Sequence, residues 1–244
     1  GRAIVNLIGC EPDEKVSAFI SVKEFNDDHY VVMATEKGMV KKTKLSAYSN
    51  PRKKGIYAVE IREGDKLIEA RVSTGDNDIL LGTRNGKSIR FSEEQIRASG
   101  RKTMGVKGIT LSSEDDRLVG MLLIKREGTV LVATEKGFGK RTEISQYRAQ
   151  KRGGKGVLTM KTTDKVGKMV TIKEVVDKDD LMIITNQGVL IRLPVAQIRS
   201  IGRATQGVKL IKLGEGTLVS SITRIMSEEE EDENNNTEST EPKE

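Results

Sequence analysis

Tryptophan is absent from this chain of 244 residues, and aromatic residues make up only 3% of it. Any core must therefore be filled by Val, Ile, Leu and Met. A single cysteine, Cys10, excludes an internal disulfide and fits a reducing cytoplasm. With one cysteine and one histidine the chain lacks the several soft ligands of a zinc site, and a His-based triad would have to use His29, whose setting, Asn26-Asp27-Asp28-His29-Tyr30, reads as a polar turn. There is no apolar run of about 18 residues, so no membrane-spanning helix is expected. The opening residues, Gly1-Arg2-Ala3-Ile4-Val5-Asn6-Leu7, lack an initiator Met and a signal-peptide pattern and read as cut from a longer chain.

Charge is plentiful but unevenly placed. The net value of +6 conceals a tail, residues 227–244, with nine acids and one base, Lys243. The body, 1–226, keeps 41 basic and 27 acidic residues. A basic body with an acidic, disordered tail points to a polyanionic partner and to competition for one surface.

Self-similarity predicts the architecture. Val31–Lys42, Ile79–Arg90, Val130–Arg141 and Leu181–Arg192 each read as an apolar strand, a turn and a second strand. The turn glycines, Gly38, Gly86, Gly137 and Gly188, recur at 48, 51 and 51 residues, each with Thr three positions earlier. Glycine supplies the positive φ of a tight hairpin turn. A second glycine in phase, at Gly55, Gly105, Gly156 and Gly207, opens another strand, such as Gly55-Ile56-Tyr57-Ala58-Val59-Glu60-Ile61. A further strand follows at Leu67–Val72, Leu118–Ile124, Met169–Val175 and Leu218–Ile225. Four strands per period of about 50 residues predict an all-β, propeller-like array of four-stranded blades. Residues 1–22, with Val5-Asn6-Leu7 and Val16–Val22, supply only the last two strands of a unit, so the ring is expected to be incomplete.

Cations recur in phase. Lys42, Arg90, Arg141 and Arg192 lie four residues after the hairpin glycines, two of them preceded by Lys41 and Lys140. The loops between blades add Arg52, Lys53, Lys54, Arg101, Lys102, Lys107, Arg148, Lys151, Arg152, Lys155, Arg203 and Lys209. Positions in phase with the fold are expected to gather at one edge as a basic rim for duplex DNA, held by its phosphates without base reading. Bending DNA, whose persistence length is about 150 base pairs, needs many such contacts. The Tyr and Phe residues lie mostly at apolar strand positions, which disfavours single-strand stacking. Asp27-Asp28, Asp76, Asp78 and Asp179-Asp180 read as one recurring acidic turn rather than metal ligands.

The most specific motif is Gln150-Lys151-Arg152-Gly153-Gly154-Lys155-Gly156, three cations within five residues interleaved with glycines. It is not a P-loop, because Gly156 follows Lys155 where Ser or Thr is required. This heptad resembles the Q-R-R-G-G-K-G box of the DNA gyrase A protein, and the repeats across 1–226 and the acidic tail resemble that protein's C-terminal domain. The resemblance implies a six-bladed β-pinwheel lacking its first blades, which wraps DNA with positive writhe in support of ATP-dependent negative supercoiling. It implies as partners duplex DNA, the rest of the gyrase A protein and, through it, the gyrase B protein. It also implies a monomeric fragment and a cytoplasmic location with the nucleoid. ATP and Mg²⁺ are then used elsewhere in the holoenzyme, with no cofactor, metal or catalytic residue in this chain, and none of Tyr30, Tyr48, Tyr57 and Tyr147 is a cleavage nucleophile. The family's principal box lies on its first blade, whereas 150–156 sits where some members carry a second copy. Alternatives are the equivalent domain of topoisomerase IV and a protein-binding propeller with a basic rim.

Overall fold

The computed structural model describes residues 14–52, 54–125 and 127–226. Cys10, Lys53, the strand expected at 5–7 and the acidic tail lie outside the described residues. The strands are β1 (Tyr30–Thr35), β2 (Met39–Lys44), β3 (Leu67–Ser73), β4 (Asp78–Thr83), β5 (Lys87–Ser92), β6 (Val106–Lys107), β7 (Leu118–Ile124) and β8 (Thr129–Thr134). They continue as β9 (Phe138–Glu143), β10 (Val157–Leu158), β11 (Met169–Val175), β12 (Asp180–Thr185), β13 (Leu190–Pro194), β14 (Val208–Lys209) and β15 (Val219–Ile225). Short 3₁₀ turns follow the four hairpins, at Leu45–Tyr48, Glu93–Gln95, Ile144–Gln146 and Val195–Gln197.

The four expected hairpins form, and the in-phase Thr explains how each turn is held. Thr35, Thr83, Thr134 and Thr185 accept through Oγ1 the backbone N–H of Met39, Lys87, Phe138 and Val189, at 3.1–3.3 Å. Each turn glycine stands at positive φ and donates its N–H to the carbonyl of that same Thr. A Thr-x-x-Gly sequence thus closes the turn twice, once by backbone and once by side chain.

Sheet composition departs from the simple repeat. The sheets run β3-β1-β2-β6, β10-β5-β4-β7, β11-β8-β9-β14 and β13-β12-β15. The outer strand of a blade is therefore supplied by the segment that follows the next hairpin, so strands are exchanged between consecutive repeats. The in-phase glycine makes this possible. A Cβ at Gly156 would collide with the Ser88 carbonyl oxygen and lie 2.8 Å from its carbon, and one at Gly207 would lie 2.6 Å from the Gly139 oxygen. Gly55 has the same positive φ but nothing within 4 Å, and residues 55–61 form no strand. The expected strand is absent there because the described residues include no preceding hairpin edge for it to pair with.

Two compact units result, each with its own core. The first runs to Lys125 and takes in Arg148–Val157, the segment that reaches β5; the second holds the rest. In the first, both faces of β1 are buried: Val32 and Ala34 join a core with Ile79, Leu81, Ile89 and Phe91, while Val31 and Met33 pack with Leu45 and Ala70. The second buries Leu131, Ala133, Leu181, Ile183, Val195 and Ile222. Burial on both faces is why the hairpin strands read as continuous apolar runs rather than alternating ones.

Candidate nucleic-acid interface

The cations closest to the hairpins turn into the fold. Lys41 and Lys140 are 1% and 0% exposed. The Lys41 ammonium donates to the Ala58 carbonyl at 2.7 Å and to that of Arg101. Lys140 donates to Gly202 at 2.7 Å, to the Arg203 carbonyl, and to Thr205 Oγ1 at 3.0 Å. Burial, and secondarily the charges of Arg101 and Arg203, push each ammonium down to about 8. Ile89 and Ile191 occupy the corresponding places in the alternate repeats.

The four in-phase bases at the strand ends are paired with nearby acids, two of them with acids of the recurring turn. Arg90 donates from Nε to Asp78 at 2.7 Å, and Arg192 to Asp180 at 2.6 Å. Arg141 is buried against Asp177 and donates to the Ile198 carbonyl at 2.8 Å. Lys42 lies 3.6 Å from Glu93, a fully buried carboxylate that also accepts from Ser73. Lys41, Lys42, Lys140 and Arg141 therefore correct the expectation of a rim built at the strand ends. The physical reason differs by position: the exchanged segments leading into β6 and β14 turn their carbonyls onto Lys41 and Lys140, whereas Lys42 meets Glu93 and Arg141 meets Asp177 and the Ile198 carbonyl. Arg90 and Arg192 are also paired, though the Arg192 side chain stays 65% exposed.

Most of the loop cations stand at the surface. Arg52, Lys54, Lys102, Lys107, Arg148, Lys151, Lys155 and Lys209 are exposed, and no ion pair to any of them occurs among the described residues. Two residues were missed, Arg97 and Arg199. They stand in phase with Arg148, at intervals of 51, and all three are exposed. Each follows a 3₁₀ turn and a buried anchor, Ile96, Tyr147 or Ile198, and the extended backbone sends the next side chain to the opposite side. The signal was present in Gln95-Ile96-Arg97 and Gln197-Ile198-Arg199, with Gln146-Tyr147-Arg148 between them.

Residues 150–156 form a tightly bonded loop. Gln150 N donates to the Arg90 carbonyl at 2.8 Å, and Gln95 Nε2 donates to the Gln150 carbonyl at 3.2 Å. Gly153 N donates to the Gly108 carbonyl at 2.7 Å, and Thr110 donates its N–H to Gly154 and its hydroxyl to Gly153. Arg152 donates to the carbonyls of Gln95 and Lys107, both at 3.0 Å. Gly153 and Gly156 take positive φ, while Lys151 and Lys155 are exposed to solvent. Arg101 and Arg203 are only partly exposed, and each donates to a carbonyl, Tyr57 at 3.4 Å and Leu158 at 2.8 Å.

A sequence model of the DNA gyrase C-terminal domain, a β-propeller, matches residues 29–74, 77–125, 128–175 and 179–225, one repeat to each match. The chain belongs to the DNA gyrase C-terminal domain family. The DNA gyrase A protein of Staphylococcus epidermidis is 45% identical over 232 residues, which are 94% of this chain and 26% of that protein. Its counterpart in Staphylococcus aureus is 45% identical over 228 residues, 92% of this chain and 26% of that protein. The chain thus spans about a quarter of the length of these gyrase proteins. Among solved structures, the C-terminal domain of DNA topoisomerase IV is similar with a TM-score of 0.87 at 26% identity, over 93% of this chain and 71% of that one. A DNA gyrase A C-terminal domain gives 0.83 at 22% identity, over 92% and 75%, a likeness of fold.

Other candidate chemistry is sparse in this gyrase-family domain. Among the described residues no group of three or more His, Cys, Asp or Glu is placed to hold a metal, and no helix is long and apolar enough to cross a membrane. His29 is half-buried and hydrogen-bonded through Nδ1 to Asn26 at 2.8 Å, closing its own turn. Tyr147 is buried with its hydroxyl 2.7 Å from Thr159 Oγ1, and burial raises its phenol above the usual range. The aromatic residues are not all at apolar strand positions, however. Tyr57 is 76% exposed, with the Lys102 ammonium 5.9 Å from its ring centre, and Phe19 is 68% exposed.

Proposed function

We propose that the chain binds duplex DNA through its phosphates, without reading base sequence, and bends it as the C-terminal part of a bacterial gyrase A protein. The supporting observation is the recurrence of unpaired, outward cations at equivalent loop positions, with Arg97, Arg148 and Arg199 in phase. Arg52, Lys54, Lys102, Lys107, Lys151, Lys155 and Lys209 extend the set. Such groups release counterions when they meet phosphates, and they position a duplex rather than specify its bases. In this reading the domain has no catalytic residue or cofactor of its own. The rest of the gyrase A protein and its gyrase B partner supply strand passage, ATP and Mg²⁺, and the assembly works on DNA in the cytoplasm.

The 45% identity to gyrase A proteins and the near-complete heptad at 150–156 favour gyrase over the topoisomerase IV domain of similar fold. The test is binding of labelled duplexes of unrelated sequence at rising salt. Six or so phosphate contacts give a slope of log K against log salt of about −5. Binding that ignores salt, or follows one sequence only, contradicts the reading.

A further inference from the structure

We propose that Arg152 is a positioning residue and that the ligands for phosphate at this loop are Lys107, Lys151 and Lys155. The inference rests on the duplex-binding reading above and assigns roles within it.

A guanidinium that serves a phosphate should present its donor fork to solvent. Arg152, partly buried, turns much of that fork to the protein instead. Its Nε donates to the Gln95 carbonyl and one terminal nitrogen to the Lys107 carbonyl, both at 3.0 Å. Its backbone N–H donates to Gln95 Oε1 at 2.9 Å. Nε and one terminal nitrogen of the planar fork are thus engaged by protein oxygens from the preceding repeat.

The same bond recurs elsewhere. Arg101 reaches the Tyr57 carbonyl, and Arg203 reaches that of Leu158. Tyr57, Lys107 and Leu158 are each the third residue of a segment opened by an in-phase glycine, Gly55, Gly105 and Gly156. One arginine per repeat thus fixes the end of the segment before it. A carbonyl held at the same place in successive repeats registers one loop on the next.

At Arg152 the fixed segment carries a cation. Lys107 is exposed, and its Cγ would lie 3.9 Å from a Cβ built on Gly153, so its stem runs beside the box loop. Clamping the Lys107 carbonyl sets where that stem leaves the backbone, next to the loop that presents Lys151 and Lys155. Three ammonium groups from two segments then form one phosphate site, and Arg152 determines their spacing. Lysine at 152 would keep the charge but lose the planar fork, whose Nε and terminal nitrogen meet the Gln95 and Lys107 carbonyls from separate atoms at a fixed separation.

The experiment measures duplex binding at several salt concentrations for R152K, R152A, K107A and the K107A/R152A pair. Amide exchange at Gly153 and Thr110 is followed in each. R152K is expected to resemble R152A, with affinity down about fivefold, the scale of one phosphate contact, and with faster exchange at both amides. K107A should lower the salt slope by about 0.9 without speeding exchange, and adding R152A to it should cost little further affinity. A wild-type-like R152K, together with additive losses in the pair, would make Arg152 a phosphate ligand and overturn the proposal. If the unsubstituted chain does not bind duplex, the functional reading fails, and exchange alone decides the clamp. Unchanged protection in R152A would then sink it.

Discussion

Replacing Gly156 by Ala tests strand exchange where the structure is least forgiving. The added Cβ would meet the Ser88 carbonyl oxygen and lie 2.8 Å from its carbon, both parts of a backbone that cannot swing aside. Alanine at this positive φ costs about 1 kcal/mol in strain alone. Relief of the clash requires β10 to leave β5, with loss of about two ladder hydrogen bonds at roughly 1 kcal/mol each. The sum is about 3 kcal/mol. Gly55 supplies the control in the same compact unit: its φ is +76°, yet nothing lies within 4 Å of its Cβ position. G55A should therefore cost only the strain, about 1 kcal/mol. Urea unfolding reports the difference, since at an m-value of about 2 kcal/mol/M the two midpoints should separate by roughly 1 M. Equal losses in G55A and G156A would refute the close approach of the exchanged strand.

Other perturbations probe the cations. R97A/R148A/R199A should reduce the salt slope of duplex binding by nearly 3 while leaving the melting temperature almost unchanged, because these side chains are exposed; a large loss of stability would show them to be structural. K151A/K155A should weaken binding at constant stability, whereas adding R152A should also destabilise by about 1–3 kcal/mol, because Arg152 serves two carbonyls; calorimetry separates the two. Lys41 and Lys140 titrate near 8 when folded against 10.5 when free, so the folded state binds fewer protons between those values. Stability from this source therefore rises with pH from about 8 to 10.5 and is lost as pH falls through that window. The gap between wild type and K41M/K140M melting temperatures should shift in favour of wild type as pH rises across it, and parallel profiles would remove the lysines from the account. Deleting 227–244, with its nine acids, should tighten duplex binding at low salt; unchanged affinity would discard competition by the tail.

Local chemistry was readable from the chain, and non-local pairing was not. The hairpins follow from Thr-x-x-Gly turns flanked by apolar runs, a signal contained within a dozen residues. The exchanged strands β6, β10 and β14 are two residues long, too short to carry a period, and their partners lie one repeat back. The in-phase glycine marked their start, but only contact with the Ser88 or Gly139 carbonyl explains its necessity. The same pairing hid the fate of two strand-end cations. Lys41 and Lys140 looked like rim residues because a lysine at a strand end is usually wet. Met by the segments leading into borrowed strands, they point inward and hold loop carbonyls instead. Arg97, Arg148 and Arg199 are legible through their common spacing, but only the structure shows all three side chains exposed. The fixing of Arg152 could not be read at all: a guanidinium bound to carbonyl oxygens and one free for phosphate have the same letter in the sequence.

Bending of DNA is the claim on which the functional reading depends most. Relaxing a closed circular plasmid with the purified chain bound, then removing the protein, records any writhe it imposed. Topoisomers should shift away from the protein-free control, by an amount that grows with the ratio of protein to DNA and is reduced in R97A/R148A/R199A. A distribution centred where the protein-free control lies, under conditions where duplex binding is saturated, would contradict it.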